Sequence, residues 1–459
     1  MKIIQYLLTI LLIAVVFHAC KEEQKFRLSF DDNTAPGKPI VREVVPLYGG
    51  ARIFYTPPSD EDVLQVVAEF DAAGGEIFKF SSSYFKDSVD VYGLGEDREY
   101  TIRVYALDRA GNKSAVESVQ VTPLESSILR VAKTLEVKAG FGSFYLDWFN
   151  ELKQTVNIVV DFEFFMDGAQ RNIVQVLSSN RETDRQFIRD LTLGPDQPIN
   201  MKITVEDIYR NITEPIEVKG LVLLQDSKIP KDNWRLPVTG DTIAGEPMVF
   251  GDGADGRLSR VIDDVIDWRV NNNYLNTFGR GRIGGPLPAG DPHHLNDWNL
   301  FIDLGAYYYL SRIVTHQRHS GGDQGQARGH YYLDQAENPR GENVKQYRMW
   351  YLDEDVDDSV KGNWVMLGTQ FVRGVWVEIS EHTIEVPVGL NDVELIQMGQ
   401  KGDEAYMYPD NPGFTPKSVR WFRYEPLFAF RDNGTSLTEK SCLSEVTLYG
   451  EYDRPANRN

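Results

Sequence analysis

Two stretches in the C-terminal half of the 459-residue chain combine aromatic rings with planar polar side chains and follow no strand-like pattern. They are residues 271–297 and residues 319–343. Aromatic faces stack on the C–H patches of a sugar ring, and planar polar groups hydrogen-bond its paired hydroxyls. The pattern therefore predicts two saccharide-binding inserts, and the alternative is that the rings only cover a core. The candidate residues are Tyr274, Phe278, Arg318, His319, His330, Tyr331, Tyr332 and Asn338.

Histidines are the next candidates for chemistry, because positions 293, 294, 316 and 319 all fall near these inserts. A zinc site needs three or four converging ligands. No cysteine and no helical glutamate accompanies His316 and His319, so the spacing does not favour zinc. The glycine-rich run 279–290 lacks the Gly-Lys-Ser/Thr of a phosphate-binding loop and is interpreted as a plain loop.

Nothing in the sequence forms a recognisable catalytic motif. Glycoside hydrolysis needs two carboxyl groups flanking the bond, and among 68 acidic residues spacing cannot nominate a pair. Cys442 has no identified His or Asn partner, which favours a buried structural thiol over a nucleophile. We therefore predict a protein that is not an enzyme, and a hydrolase in the C-terminal part stays open as an alternative.

The segment Trp298–Arg318 lies between the two inserts and has to position them. It is rich in aromatic and β-branched residues, which is typical of buried strands. Gly305 interrupts the run and is interpreted as the turn of a core hairpin. Residues in loops held by such strands do not have to pack in the core and are therefore suited to binding.

Asp303-Leu-Gly305, in the strand that Trp298 opens, resembles the signature of discoidin domains, also called coagulation-factor C-type domains. Val261–Asp264 followed by Trp268 is similar to the family's Ile-Asp-Gly stretch, with Asp264 in place of the usual Gly. Further matching segments are residues 347–351, 364–368, 418–424 and 443–450. The resemblance implies a jelly-roll, galactose-binding-like β-sandwich over residues 227–459 that acts through loops at the ends of its sheets.

The same resemblance implies a structural calcium ion. Discoidin-like domains often hold Ca²⁺ near the Ile-Asp stretch, through carboxylates, carbonyl oxygens and a glutamate from the final strand. Asp263, Asp264 and Glu445 match those positions. Oxygen is the ligand atom that Ca²⁺ prefers in proteins.

The chain before residue 227 contains an internal repeat. The segment from Leu94 to Asn112 recurs from Leu193 to Asn211 at a constant offset of 99 residues (207 − 108 = 99). The first copy resembles a fibronectin type III domain, in which a tyrosine, here Tyr100, precedes the penultimate strand. We predict an all-β chain, with tandem immunoglobulin- or fibronectin III-like sandwiches at 37–124 and 125–226. Both are interpreted as spacers, and a binding face is left open by the aromatics Tyr84, Phe85, Trp148 and Phe149.

The first twenty residues form a separate element. Lys2 precedes an apolar run from Ile3 to Phe17, and the small Ala19 stands before Cys20, which indicates a secretion signal at residues 1–19. Ala19-Cys20 resembles a lipobox, which implies lipidation of Cys20. Lys21-Glu-Glu23 resembles the tag of Bacteroidota lipoproteins that reach the outer face of the outer membrane. Residues 20–36 are then a lipidated polar tether.

The formal net charge of −20 argues against a nucleic-acid partner, because phosphate binding needs a basic surface. The resemblance to lipoproteins encoded with glycan importers implies capture of a polysaccharide or oligosaccharide for an outer-membrane importer. Neighbouring glycan-import proteins are then further partners. The alternative is a non-enzymatic protein–protein adaptor or adhesin at the outer membrane.

Overall fold

The computed structural model describes residues 32–72, 75–166, 168–236, 242–243, 246–247, 258–266, 275–276, 299–318, 343–367, 370–430 and 442–454. Arg318 and the three predicted calcium ligands lie within these ranges. Among the residues described, no helix is long and apolar enough to cross a membrane. The predicted site residues outside these ranges are Cys20, Tyr274, Phe278, His319, His330, Tyr331, Tyr332 and Asn338.

The first module consists of two sheets packed face to face. Its strands are β1 (Ile40–Leu47), β2 (Gly50–Thr56), β3 (Val63–Asp71), β4 (Ile77–Ser83), β5 (Ser88–Tyr92), β6 (Tyr100–Asp108) and β7 (Glu117–Val121). One sheet has the order β1-β2-β5 and the other β4-β3-β6-β7. Tyr100, Ile102 and Val104 point into the core, because alternate side chains of a strand share one face.

The second module repeats this arrangement and adds one short helix. Its elements are α1 (Ser127–Thr134), β8 (Glu136–Gly140), β9 (Ser143–Phe149), β10 (Val156–Met166), β11 (Ala169–Ser179), β12 (Thr183–Ile188), β13 (Pro198–Asp207) and β14 (Ile216–Val222). The sheets have the orders β12-β9-β8 and β11-β10-β13-β14. Ile128 and Val131 of α1 join the core of this sandwich.

The internal repeat ends in the same hydrogen-bonded turn in both modules. Asn112 donates its backbone N–H to Asp108 Oδ1 and its side-chain amide to Asp108 Oδ2, each at 2.8 Å. Asn211 makes the same two bonds to Asp207, at 2.9 and 2.8 Å. An aspartate that accepts from backbone and side chain four residues later closes such a turn locally. The predicted all-β fold is confirmed.

Tyr100 has the hydrogen bond expected of a fibronectin-like tyrosine. Its hydroxyl accepts from the backbone N–H of Glu96 at 3.2 Å, and a tyrosine corner bonds the backbone a few residues upstream in the same way. In the second module the equivalent residue is Ile199, which is fully buried. Both modules therefore have the aspartate–asparagine turn, but only the first has the tyrosine corner.

The C-terminal unit is built on one extended sheet. Its elements are β15 (Ser227–Lys228), β16 (Thr242–Ile243), β17 (Glu246–Pro247), a 3-10 turn (Leu258–Val261), β18 (Leu275–Asn276), β19 (Leu300–His316), β20 (Val344–Asp353), β21 (Gly362–Leu367), β22 (Gln370–Thr383), α2 (Asp392–Lys401), β23 (Asp403–Tyr406), β24 (Val419–Ala429), β25 (Cys442–Leu443) and β26 (Glu445–Tyr452). The sheet order is β15-β26-β19-β24-β20-β22-β21-β16-β17, with β23 also on β19 and a separate β18-β25 pair. A discoidin-like jelly roll stays a prediction.

The predicted hairpin at Gly305 is wrong. Residues Leu300–His316 form one strand that pairs first with β24 and then with β26, so its two halves do not pair with each other. Gly305 lies at a shift of register with φ of 76°, and a Cβ there would lie 2.6 Å from Asn233 O. The glycine permits a local bulge, and the chain then continues in the same sheet.

Asp303 explains the Asp-Leu-Gly signature around this bulge. Its carboxylate accepts the backbone N–H of Gly305 at 2.9 Å. Arg420 donates to both oxygens of the same carboxylate, at 2.7 and 2.8 Å. Leu304, the middle residue of the signature, is fully buried in the core. A bidentate ion pair with little exposure of the carboxylate fixes the bulge geometry.

A first joint connects the two sandwich modules. Tyr209, in the repeated turn of the second module, packs against Phe78 and Phe80 with ring centroids 5.9 and 6.3 Å away. A Cβ on Gly93 would lie 2.8 Å from Tyr209 Cγ, so this approach requires glycine. Asn211 Nδ2 donates to Gly93 O at 3.0 Å.

A second joint connects the second module with the C-terminal unit. Phe414 packs edge-on against Tyr145 and Phe187, with ring centroids 5.5 and 6.4 Å away. The Arg185 guanidinium lies 4.2 Å from the centroid of the Phe414 ring, within cation–π distance. The aromatic side chain is thus held between two rings and a cation.

Backbone contacts complete the second joint. The N–H of Phe141 donates to Gly413 O at 3.0 Å, and Arg189 Nη1 donates to Pro412 O at 2.5 Å. A Cβ on Gly140 would lie 2.4 Å from Gly413 O. The two backbones can approach this closely only because residue 140 has no side chain.

Candidate functional site

Both predicted saccharide-binding inserts have a described residue beside Cys442. Leu275 and Asn276, inside the first insert, pair with Leu443 and Cys442. Cys442 also forms a bridge with Asn343, the last residue of the second insert. The Asn343 side-chain amide donates to the carbonyl of Arg318, which precedes that insert, at 2.8 Å. Residues 275–276 and 343 are therefore neighbours through Cys442.

Arg318 is the one predicted saccharide ligand within the described residues. It is 8% exposed, so most of its side chain is enclosed. Its carbonyl holds Asn343, which is fully buried, and the N–H of Ser444 donates to His316 O at 2.8 Å nearby. Buried polar groups that are paired in this way make a rigid frame at the base of the inserts.

Two of the three predicted calcium ligands contact one lysine. The Lys231 ammonium is 2.8 Å from Asp264 Oδ1, donates to Glu445 and lies 3.3 Å from Thr447 Oγ1. Burial raises the pKa of Glu445 to about 7, although the Lys231 cation lowers it. Asp263, the third, is exposed and accepts the N–H of Val265 at 3.0 Å.

This arrangement does not fit a calcium ion as it stands, because the Lys231 cation already pairs with two of the carboxylates, those of Asp264 and Glu445. Lys231 has a side chain only 6% exposed and bridges Asp264 and Glu445. Asp264 has φ of 61°, the left-handed region that glycine prefers, where the resembled family carries Gly. The sequence analysis missed Lys231, which stands between Asp264 and Glu445. Calcium stays a prediction.

A polar and aromatic group on neighbouring strands was missed by the sequence analysis. Arg423 and Glu425 on β24 are fully buried, with Arg423 Nη2 3.4 Å from Glu425 Oε1. Trp350 Nε1 donates to Glu425 at 2.8 Å, and Arg423 Nε donates to Asn299 Oδ1 at 2.9 Å. The alternation of charged residues along this strand could have predicted the group. Because Arg423 and Glu425 are fully enclosed, we interpret the group as structural.

Within the described ranges, one group of carboxylates has metal-like geometry, and it lies in the first module. Ligand oxygens of Asp32, Asp62 and Asp108 lie within 4.8 Å of one another. Burial raises the pKa of Asp62, and the neighbouring Asp32 and Asp108 raise it further. Asp108 already accepts a hydrogen bond from the Asn112 side chain, so its carboxylate closes the repeated turn.

Comparison with known proteins adds a family match to the first module. Residues 36–123 match a family model described as a domain of unknown function (DUF4959). No curated protein matches the chain. The family match thus concerns one sandwich and leaves the C-terminal unit unassigned.

Several solved structures are similar to the chain. A SusE-like protein, BT2857, is 18% identical over 71% of this chain and 100% of its own, with a TM-score of 0.46. A segment of two fibronectin type III domains from chicken tenascin is 15% identical over 40% of this chain and 98% of its own, with a TM-score of 0.20. The FN1–FN3 domains of chicken CNTN1 are 9% identical over 90% and 98%, with a TM-score of 0.19.

Proposed function

We propose that the protein is a non-catalytic saccharide-binding protein, and that the inserts 271–297 and 319–343 of its C-terminal unit carry the site. The observation that supports this most directly is that one segment of each insert contacts Cys442, Asn276 of the first and Asn343 of the second. Inserts that start from neighbouring positions can offer their aromatic and polar side chains to one ligand. The stacking groups are Tyr274, Phe278, Tyr331 and Tyr332.

We further propose a setting at the outer face of the outer membrane. The lipobox-like Cys20 supplies the anchor, and the two sandwich modules carry the C-terminal unit away from the membrane surface. The role is capture of polysaccharide for a neighbouring glycan importer. Globomycin treatment or Cys20→Ala should release the protein from the membrane fraction, and retention of the Cys20→Ala protein there would contradict the anchor.

Binding is tested with a glycan array of host and plant polysaccharides, followed by calorimetry on each positive. Tyr331→Ala and Tyr332→Ala should each weaken binding about fivefold to tenfold, because each removes one stacking face. Tyr84→Ala is the matched control, since Tyr84 is an exposed aromatic of the first module. An array without any positive would remove the support for saccharide binding. Unchanged affinity of both insert variants would refute only the site.

A protein–protein adaptor is the second candidate, and one surface feature favours it. Phe85 is 89% exposed, with its ring 4.8 Å from that of Tyr84. An exposed aromatic pair of this kind can anchor a protein partner. A crosslinked pull-down from outer membranes with Phe85→Ala as the comparison separates the two functions. Unchanged reducing-end counts after long incubation with the polysaccharide panel would exclude a hydrolase.

A further inference from the structure

A cleft of about 610 Å³ lies over the outer face of the β12-β9-β8 sheet, beside the second joint. This volume lies within the range of small-molecule sites. The second module supplies most of the lining, and Asn411 of the C-terminal unit closes one side. We propose that this outer cleft is a second saccharide site, for neutral oligosaccharides, separate from the inserts. The residues that carry the argument are Glu136, Asp147, Phe149, Arg181 and Arg185.

The cleft has an exposed aromatic side chain. Phe149 is the last residue of β9, lies opposite Thr183 of β12, lines the cleft and is 40% exposed. A sugar ring can stack on Phe149, because a flat aromatic face accepts the C–H side of the ring.

A row of planar charged groups crosses the floor of the cleft. Glu136 and Arg185 stand in register with Asp147, one on each side of it in the sheet. Arg185 donates to both oxygens of Asp147, at 2.6 and 2.9 Å. A bidentate pair is held in a fixed plane, so its remaining donors and acceptors are already oriented toward a ligand's hydroxyls.

Trp148 separates the cleft from the core of the second module. It borders the cleft but packs in the core with Phe144 and Leu146, on one face of β9. Because alternate side chains of a strand share a face, Asp147 and Phe149 lie on the other face, where a ligand would lie.

The charges of the cleft select a neutral ligand. Lys138 neutralises Glu136 at 2.6 Å and also approaches Asp147 at 3.4 Å. Arg181 lies 3.8 Å from Asp184. Each carboxylate of the lining thus has a cation beside it, and a uronate would have to displace one of them. Hydroxyl groups need no such exchange and can bond the outer edges of the existing pairs.

The test is hydrogen–deuterium exchange on the full mature chain with millimolar maltohexaose, cellohexaose, mannohexaose or xylohexaose, and with hexagalacturonate as the acidic probe. At least one neutral probe should protect the amides of residues 134–149 and 181–186, and hexagalacturonate should not. The Tyr331→Ala/Tyr332→Ala double variant should keep this protection, which separates the outer cleft from the insert site.

Phe149→Ala localises the contact and should weaken binding at the cleft about tenfold. Trp148→Phe changes the core face of β9 and should leave this binding unchanged. Phe85→Ala, an exposed aromatic of the first module, should also change nothing. The proposal is overturned if no neutral probe protects these two segments, if hexagalacturonate protects them equally, or if Phe149→Ala binds like the wild type.

Discussion

Each of the two joints connects neighbouring units through an aromatic side chain, but the side chain comes from a different kind of segment. At the first, a turn that both modules possess carries Tyr209, which packs into the preceding module beside Gly93. At the second, the loop around Gly413 of the C-terminal unit lays Phe414 on the open face of a sheet. The first joint therefore uses the repeated turn of the second module, and the second joint uses a loop of the unit that follows.

The repeated turn shows what makes a joint. The first module has the same aspartate–asparagine bonds, but Ala110 stands where the second module has Tyr209. In both modules the asparagine amide also reaches the chain upstream, Asn112 to Asp32 O at 2.8 Å and Asn211 to Gly93 O at 3.0 Å. One aromatic side chain thus converts a local turn into an interface between modules.

The largest expected effect is at the second joint. Phe414→Ala removes a ring packed on Tyr145 and Phe187 and the partner of the Arg185 cation. We expect it to weaken the coupling of the second module to the C-terminal unit by about 3 kcal/mol. Scanning calorimetry should show transitions that separate in the variant. Phe85→Ala is the control, and a thermogram of Phe414→Ala like that of the wild type would contradict the packing.

Gly140→Ala should act on the same joint with a smaller effect. The new Cβ meets Gly413 O at 2.4 Å, so the bond between Phe141 N and Gly413 O has to lengthen. The expected loss is about 2 kcal/mol, read from chemical denaturation. Gly194→Ala is the matched control, because its nearest neighbour atom, in Gln197, is 3.7 Å from the added Cβ. Equal effects of the two substitutions would argue against the close approach.

Tyr209→Ala tests the first joint. It removes the contact with Phe78 and Phe80 but leaves the turn bonds of Asn211 in place. We expect a loss of about 1 kcal/mol and faster amide exchange in residues 77–80. Exchange that remains as slow as in the wild type would show that Tyr209 contributes little to this joint.

The smallest effect is a pH dependence confined to the second joint. Burial would raise the pKa of Asp147, but hydrogen bonds and charge from Arg185 and Lys138 hold it below its ordinary value of 3.8. A carboxylate with a lowered pKa stabilises the fold above that ordinary value, and its contribution is lost as the pH falls through the folded-state pKa. Acid titration of Asp147→Asn should lack this loss, of less than about 1 kcal/mol. A slope equal to that of the wild type would contradict the ion pair.

Local patterns were sufficient for much of the fold. The alternation along Tyr100–Asp108 and the 99-residue repeat identified strands and a shared turn, because both depend on residues close in sequence. The hairpin prediction at Gly305 was wrong, because a glycine with positive φ occurs in a β-bulge as well as in a turn. Which of the two forms depends on the available partner strands, and β24 and β26 come more than a hundred residues later.

The sequence alone determined the all-β sandwiches and the repeated Asp-to-Asn turns, because periodicity and turn chemistry depend on residues close in the chain. Only the tertiary structure decided that Lys231 pairs with Glu445 and that Phe414 packs on Phe187 of another module. These contacts join residues that are more than two hundred positions apart. Packing, rather than any local preference, selects such partners.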